Sequence, residues 1–259
     1  MTVDVVILAY TLDREVFDMN TRAIQSLRAA DPDIDFNVIL LESNRKWPEM
    51  GLAYDAKTTV HIPDTPFNFN HYNNIGLKMG KADWVVFSNN DVVFHPGWCS
   101  AMLAAAHVNP ALQCLCPWDP EGPHTPPGTF PEGAPYIEGY LVRVTFTGWC
   151  FMVRRAAFDI TGPFDERFDY YFADDDFAMT LRRHDLRNAA VPGAKVTHLA
   201  HVTSKKAGVS ISEKYTHDQQ VFKSKWGAQR IIAWKNRLTK YFLRPLGMKG
   251  IIRQIYRTH

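Results

Sequence analysis

The chain has 259 residues, 46% of them hydrophobic and 22% charged, with a formal net charge of +2. That length allows one large domain, or a compact core with an appended segment, and 16 Phe, 10 Tyr and 7 Trp need a core, which excludes a wholly disordered chain. No apolar run approaches the roughly 20 residues of a membrane-spanning helix, and MTVDVVILAY, with an acid and no basic stretch, reads as a buried first strand and not as a leader.

In chain order, the continuous apolar run Val3–Ala9 is typical of a strand covered on both faces. Asn20 or Thr21 can cap a helix in which Ala23, Ile24, Leu27 and Ala30 recur at helical spacing, and Asp31-Pro32-Asp33 ends it. Phe36–Leu41 and Thr58–Ile62 read as further strands, Tyr72–Met79 as a helix, Trp84–Ser88 as a fourth strand, and Pro96 opens a helix to about His107. This alternation predicts a mostly parallel α/β sheet with helices on both faces. Seven prolines and three glycines between Pro117 and Pro135 predict a long loop, of the kind that is usually functional or disordered. Leu141–Phe146 and Cys150–Val153 resemble paired strands, Arg154–Ile160 a short helix, and Asp174 to about His184 another. Asn188–Val191 and Lys195–His198 read as short strands around a Pro192-Gly193 turn.

The near-neutral total hides an asymmetry. Residues 195–259 hold 14 Lys+Arg and 2 Asp+Glu, a net of +12, which leaves −10 for residues 1–194. A basic tail on an acidic body suits a polyanionic partner, or simply a solvated helical tail. Its stripe of Ile231, Trp234, Leu238, Tyr241 and Phe242 reads as a helix face, either packed on the body or lying on a membrane surface. The four cysteines, Cys99, Cys114, Cys116 and Cys150, show no paired spacing and read as free thiols filling the core of a cytoplasmic protein.

Three clusters carry the chemistry. Ser88-Asn89-Asn90-Asp91 ends the fourth strand, where open α/β sheets bind ligands. A carboxylate there can hold a divalent cation beside two carboxamides, although the same residues suit a plain turn. Asp174-Asp175-Asp176 opens a helix; acids suit that position electrostatically, yet three adjacent carboxylates repel, which favours a raised pKa and a general base among them. His198 ends a strand, and an imidazole beside a metal at Asp91 would complete a mixed N/O site suited to Mn²⁺. His201, three residues on, serves as its control.

Together and in this order the motifs resemble the GT-A glycosyltransferases of the family 2 type, in the rhamnosyl- and galactofuranosyl-transferase branch, over Val3 to about His201. The motifs are Leu40-Leu41-Glu42-Ser43-Asn44, Asn73-Asn74-Ile75-Gly76, Asn89-Asn90-Asp91 with Pro96-Gly97-Trp98, Gly148-Trp149-Cys150, Gly162-Pro163-Phe164-Asp165-Glu166-Arg167-Phe168, Ala173-Asp174-Asp175-Asp176 and Val196-Thr197-His198. The resemblance implies a GT-A domain over 1–202, divided into a nucleotide-sugar half (1–110) and an acceptor and base half (111–202), followed by a basic helical extension (203–259). It implies an inverting transfer from a nucleotide-diphosphate sugar, UDP-linked by preference, held by Tyr10, Thr11, Glu42, Asn74, Asn89 and Asn90. Asp91 and His198 would hold Mn²⁺ or Mg²⁺. Ala173 stands where the family has the first acid of its pair, so Asp174 inherits the general base, and Glu42 replaces the usual Asp. Trp149, Asp175, Asp176, Lys205 and Lys206 would face the acceptor. The spacing from Gly148 to Asp174, with Lys225-Trp226-Gly227 downstream, looks most like phage-encoded members, which implies hydroxymethylated pyrimidine in DNA as acceptor; a lipid-linked or envelope glycan is the alternative. A non-catalytic module on a decayed fold would have lost the base or the metal pair, and both are present.

Overall fold

A computed structural model describes residues 1–199 and 211–227, the latter with side chains from 214 onward. The elements run β1 (Thr2–Ala9), α1 (Arg14–Ala30), β2 (Asp35–Glu42), β3 (Thr58–His61), α2 (Phe69–Met79), β4 (Trp84–Asn89), β5 (Val92–Phe94), α3 (Trp98–Val108), β6 (Leu112–Trp118), β7 (Ile137–Glu138), β8 (Cys150–Arg154), α4 (Ala157–Thr161), α5 (Ala173–Arg183), β9 (Arg187–His198) and α6 (Ile211–Trp226). Among the described residues one sheet of nine strands orders them β3-β2-β1-β4-β8-β6-β9-β5, with β7 also on β9. The first four are parallel, as the alternation of strands and helices requires. Beyond them β8 runs antiparallel to both β4 and β6, while β6 and β9 are parallel.

Alternation of side chains along the strands splits the core in two. Val3, Val5 and Ile7 of β1 face Ile24 and Leu27 of α1 and Trp98 and Met102 of α3. Val6 and Leu8 face Tyr72 of α2 and Phe177 and Leu181 of α5. Helices therefore cover both faces, and no described helix is long and apolar enough to cross a membrane. The four cysteines are free and buried, and burial pushes the Cys99, Cys114 and Cys150 thiols up.

Several local expectations change. Helix α1 starts six residues before Asn20, capped by Asp13, whose carboxylate accepts from the Val16 amide at 2.9 Å. Asp31 ends α1 and also caps α3, accepting from the Cys99 amide at 2.8 Å and from the Ser100 hydroxyl. Residues 141–146 are not a strand but a tight turn around the Leu141 carbonyl, which accepts from Val144, Thr145 and Phe146. The apolar Cys150–Val153 stretch lies in the middle of the sheet, buried on both faces. Pro192-Gly193 does not break the chain: β9 is one strand, and the pair forms a bulge, since Pro117 lies opposite Val191 but Trp118 opposite Lys195. The proline-rich segment is ordered by successive turns closing on Asp119, Pro126 and Pro131, and by the Trp118 indole donating to the Thr125 carbonyl at 2.7 Å.

Candidate active site

The carboxyl ends of β1, β2 and β4 converge, and a polar network joins them. Glu42, fully buried at the end of β2, accepts from the Thr11 amide (3.1 Å), the Thr11 hydroxyl (2.6 Å) and the Asn44 amide (2.7 Å). Asn20, inside α1, donates to the Thr11 hydroxyl at 2.9 Å and accepts from Asn90 at 2.7 Å. Thr11, Glu42 and Asn90 thus spend polar atoms on one another through Asn20 and form a fixed floor, flanked by the half-buried Tyr10 and Asn89. Asn74 lies outside this network. Its amide exchanges hydrogen bonds with the Phe164 backbone in both directions at 2.9 Å and donates to Glu166. Its observed part is to hold the Gly162–Phe168 segment on α2.

Asp91 follows β4, and His198 ends β9. The sequence separates them by 107 positions, but β5 turns back antiparallel to β9 with Val92 opposite His198. This brings Asp91 Oδ1 to 3.3 Å from His198 Nε2. Both atoms are buried and neither makes a hydrogen bond. A buried acceptor left unmatched costs about 1–3 kcal/mol, so two facing each other fit the donor set of a cation. Further contacts surround the pair. The His198 amide donates to Asp119 Oδ2 at 3.2 Å, the Leu199 amide to the Asp91 carbonyl at 2.9 Å, and the Trp149 ring stacks on the imidazole with centroids 4.9 Å apart.

The segment carrying Trp149 also touches the acids. A Cβ on Gly148 would lie 2.5 Å from Asp174 Cβ and 2.9 Å from its Oδ2, so only glycine lets this loop meet the first turn of α5 so closely. Burial pushes the Asp174 carboxyl up, and burial together with the Asp174 charge pushes Asp175 up to about 7; the Arg143 guanidinium pulls both down. Arg143 itself adopts a left-handed backbone, φ 70°, unusual for a residue with a Cβ. Asp176 is placed differently. It turns away into a pair with Lys225, 2.9 Å, and accepts from the Trp226 indole at 2.7 Å. Lys225 also bonds Asp165 at 2.8 Å, and together with Arg167 it holds the Asp165 carboxyl well below the usual carboxylate range.

Gly148-Trp149 is therefore the bridge: one residue lies against Asp174, the next against His198. The sequence marks Asn20 only as a helix cap and Asp165 only as part of the Gly162–Phe168 motif, and it gives no signal for Asp119 or Arg143. Asn20 and Asp119 look like ordinary caps or turn residues, and nothing near Arg143 marks it. Lys205, Lys206, His201 and the Ile231–Phe242 stripe lie outside the described residues.

No family model matches the chain. It is 31% identical over 151 residues to the N-acetylglucosaminyl-diphospho-decaprenol L-rhamnosyltransferase of Mycobacterium tuberculosis, covering 48% of this chain and 49% of that protein. It is 26% identical over 207 residues to the O-antigen biosynthesis protein RfbC of Myxococcus xanthus, covering 70% of this chain but 16% of that one. The chain thus spans about half the length of the first relative and a small part of the second. Among solved structures it matches GalNAc-T7 with UDP, GalNAc and Mn²⁺, at a TM-score of 0.60 and 13% identity over 76% of this chain and 43% of that one. It also matches S. aureus TarS 1–349 in complex with UDP-GlcNAc, at 0.58 and 17% over 84% and 64%. This is a GT-A fold. In GT-A terms the Thr11–Glu42–Asn90 floor lies at the ends of the parallel strands, where open sheets of this kind bind their ligands.

Proposed function

We propose that the chain is a metal-dependent inverting glycosyltransferase that uses a nucleotide-diphosphate sugar, UDP-linked by preference, with Asp174 as general base. The observation that carries this reading is the pair of buried ligand atoms on Asp91 and His198, 3.3 Å apart and neither in a hydrogen bond, tied to the acids of α5 by the two-residue bridge Gly148-Trp149. Asp91 and His198 would hold a divalent cation such as Mn²⁺ or Mg²⁺. When bound, it would neutralise charge on the departing diphosphate. Asp174, its affinity for a proton raised by burial, takes the proton from the acceptor hydroxyl as that oxygen attacks the anomeric carbon. A single displacement inverts the configuration and needs no nucleophilic carboxylate, as in inverting glycoside hydrolysis. Asp175 sits beside the base and is the nearer candidate for acceptor contact; Asp176 is already engaged by Lys225 and Trp226.

For the acceptor, the names of the two curated relatives favour a hydroxyl of a lipid-linked or envelope glycan. A hydroxymethylated pyrimidine in DNA is the second reading, favoured by the +12 charge of residues 195–259. Of the lysines suited to phosphate contacts, Lys225 is occupied by Asp165 and Asp176. The test is incubation with Mn²⁺, a panel of nucleotide sugars, and either a polyprenyl-diphosphate N-acetylglucosamine or hydroxymethylated DNA, read by mass spectrometry. A sugar-sized gain on the lipid-linked glycan is expected. A gain on the DNA nucleosides alone moves the acceptor to DNA. Donor consumption that is equally fast without acceptor makes the protein a hydrolase, and no consumption of any donor refutes the reading.

A further inference from the structure

The acid-bearing end of α5 is held from outside the sheet. Asp218 of α6 is fully buried, and its carboxylate gathers three successive backbone amides, those of Asp169 (3.2 Å), Tyr170 (2.9 Å) and Tyr171 (2.7 Å). A carboxylate with several amide donors is a strong, directional anchor. The next residue, Phe172, has a left-handed backbone, φ 57°, and immediately precedes α5. Its ring lies against Tyr215 and Phe222 of α6, at 5.2 and 5.5 Å between centroids. Two turns further along α6, Lys225 and Trp226 bond Asp176 in the first turn of α5. Asp169, His217 and Asp218 also place three ligand-type atoms within 4.8 Å of one another. The Asp218 oxygens there are already engaged by backbone amides and by His217 Nδ1 at 2.8 Å, and Asp169 Oδ1 accepts from Asn68. This cluster is an anchor within the protein.

We propose that α6 is a positioning strap for the start of α5, with Asp218, Lys225 and Trp226 as positioning residues that hold Asp174 against Gly148. The proposal rests on Asp174 being the general base. The physical need is clear: a left-handed Phe172 costs energy and persists only where its surroundings over-determine it, and a loop that relaxes there swings the first turn of α5. Docking by α6 gives the constraint. Asp218 fixes the three residues before Phe172, aromatic rings cover Phe172, and the Lys225 ammonium and Trp226 indole fix Asp176 two residues beyond the base.

The test compares the full chain with Lys225→Met, Lys225→Arg, Trp226→Phe and Asp218→Asn. Two measurements are made: hydrogen exchange, and steady-state release of nucleotide diphosphate from the donor found active in the panel above. Lys225→Met is expected to lower kcat by about 10- to 100-fold, the scale of an ångström misplacement, while KM for the donor stays within about twofold. Amides of residues 169–176 should exchange about tenfold faster or more, with those of Val5–Leu8 unchanged. Lys225→Arg, which keeps the charge and reach, should restore most of kcat. Faster exchange confined to residues 211–227, with 169–176 protected as in the parent, overturns the proposal, and so does loosening of 169–176 with kcat intact. Should Asp218→Asn fail to fold, Lys225→Met and Trp226→Phe carry the same measurements. If the parent turns over no nucleotide sugar, the glycosyltransferase reading fails by itself, and exchange at 169–176 then decides the strap alone.

Discussion

Gly148→Ala is the most discriminating substitution. Gly148 has no left-handed backbone, so alanine brings no conformational penalty of its own; what it brings is a methyl 2.5 Å from Asp174 Cβ. Ordinary contact starts at 3.4 Å, so the two segments must separate by about 0.9 Å. The atom struck belongs to the start of a helix and cannot rotate aside. Over-packing of this kind costs about 1–3 kcal/mol, which lowers the melting temperature by roughly 2–12 °C in a chain of this size. Displacing a general base by about an ångström costs on the order of 100-fold in rate. The assay is donor turnover with Mn²⁺, read as kcat and KM, beside thermal unfolding. Gly76→Ala is the matched control: its methyl would lie 2.4 Å from a Val6 methyl, in the core beneath α2. It should lower the melting temperature without the same loss of kcat. A Gly148→Ala protein that is less stable yet keeps kcat within about threefold refutes Asp174 as a base that must hold its place.

Asp174→Asn should abolish turnover and keep donor binding by calorimetry, because the amide fills the same space but accepts no proton; loss of turnover in Asp175→Asn alone would move the base by one residue. In the parent, kcat should rise with pH above the ordinary carboxylate range, since burial raises the Asp174 carboxyl and the base works only when ionised. The raised Asp174 and Asp175 carboxyls bind protons more tightly in the folded state, so their contribution to stability is greatest below the unfolded carboxylate range near 4 and declines as pH rises towards 7; a melting temperature unaffected by these acids between pH 4 and 7 in an Asp174→Asn, Asp175→Asn comparison argues against the shifts. His198→Ala should weaken nucleotide binding in Mn²⁺ about as much as chelator weakens it in the parent, and a loss independent of metal would reassign His198. Arg155→Met should cost about 3–5 kcal/mol in urea unfolding, because it strips the 2.6 Å partner from the buried Asp4 carboxylate, which also accepts from the Ala82 amide and the Asn37 side chain, each at 2.7 Å; a loss below about 1 kcal/mol would show Asp4 satisfied by those two donors alone.

The α/β class, the four parallel strands and helices on both faces were legible in the sequence, because unbroken apolar runs alternating with helical stripes leave one economical way to bury them. The acids after β4 and at the start of α5, and His198, were legible as residue types at element ends. Their assembly was not. Asp91 meets His198 only because the short strand β5 doubles back on β9, and β5 is three residues long with no periodicity to read. The bulge at Pro192-Gly193 resembles a turn in sequence because the same residues serve both, and only pairing with β6 selects between them. Asn20 reads as a cap since its neighbours begin the apolar stripe, whereas the tertiary contact with Thr11 and Asn90 uses its amide. Lys225 reads as free cationic charge, and its partners Asp165 and Asp176 lie 60 and 49 positions away. Sequence shows local periodicity and residue chemistry; which carboxylate oxygen is left without a hydrogen bond beside an imidazole, and which carboxylate is neutralised by a distant lysine, depends on long-range packing.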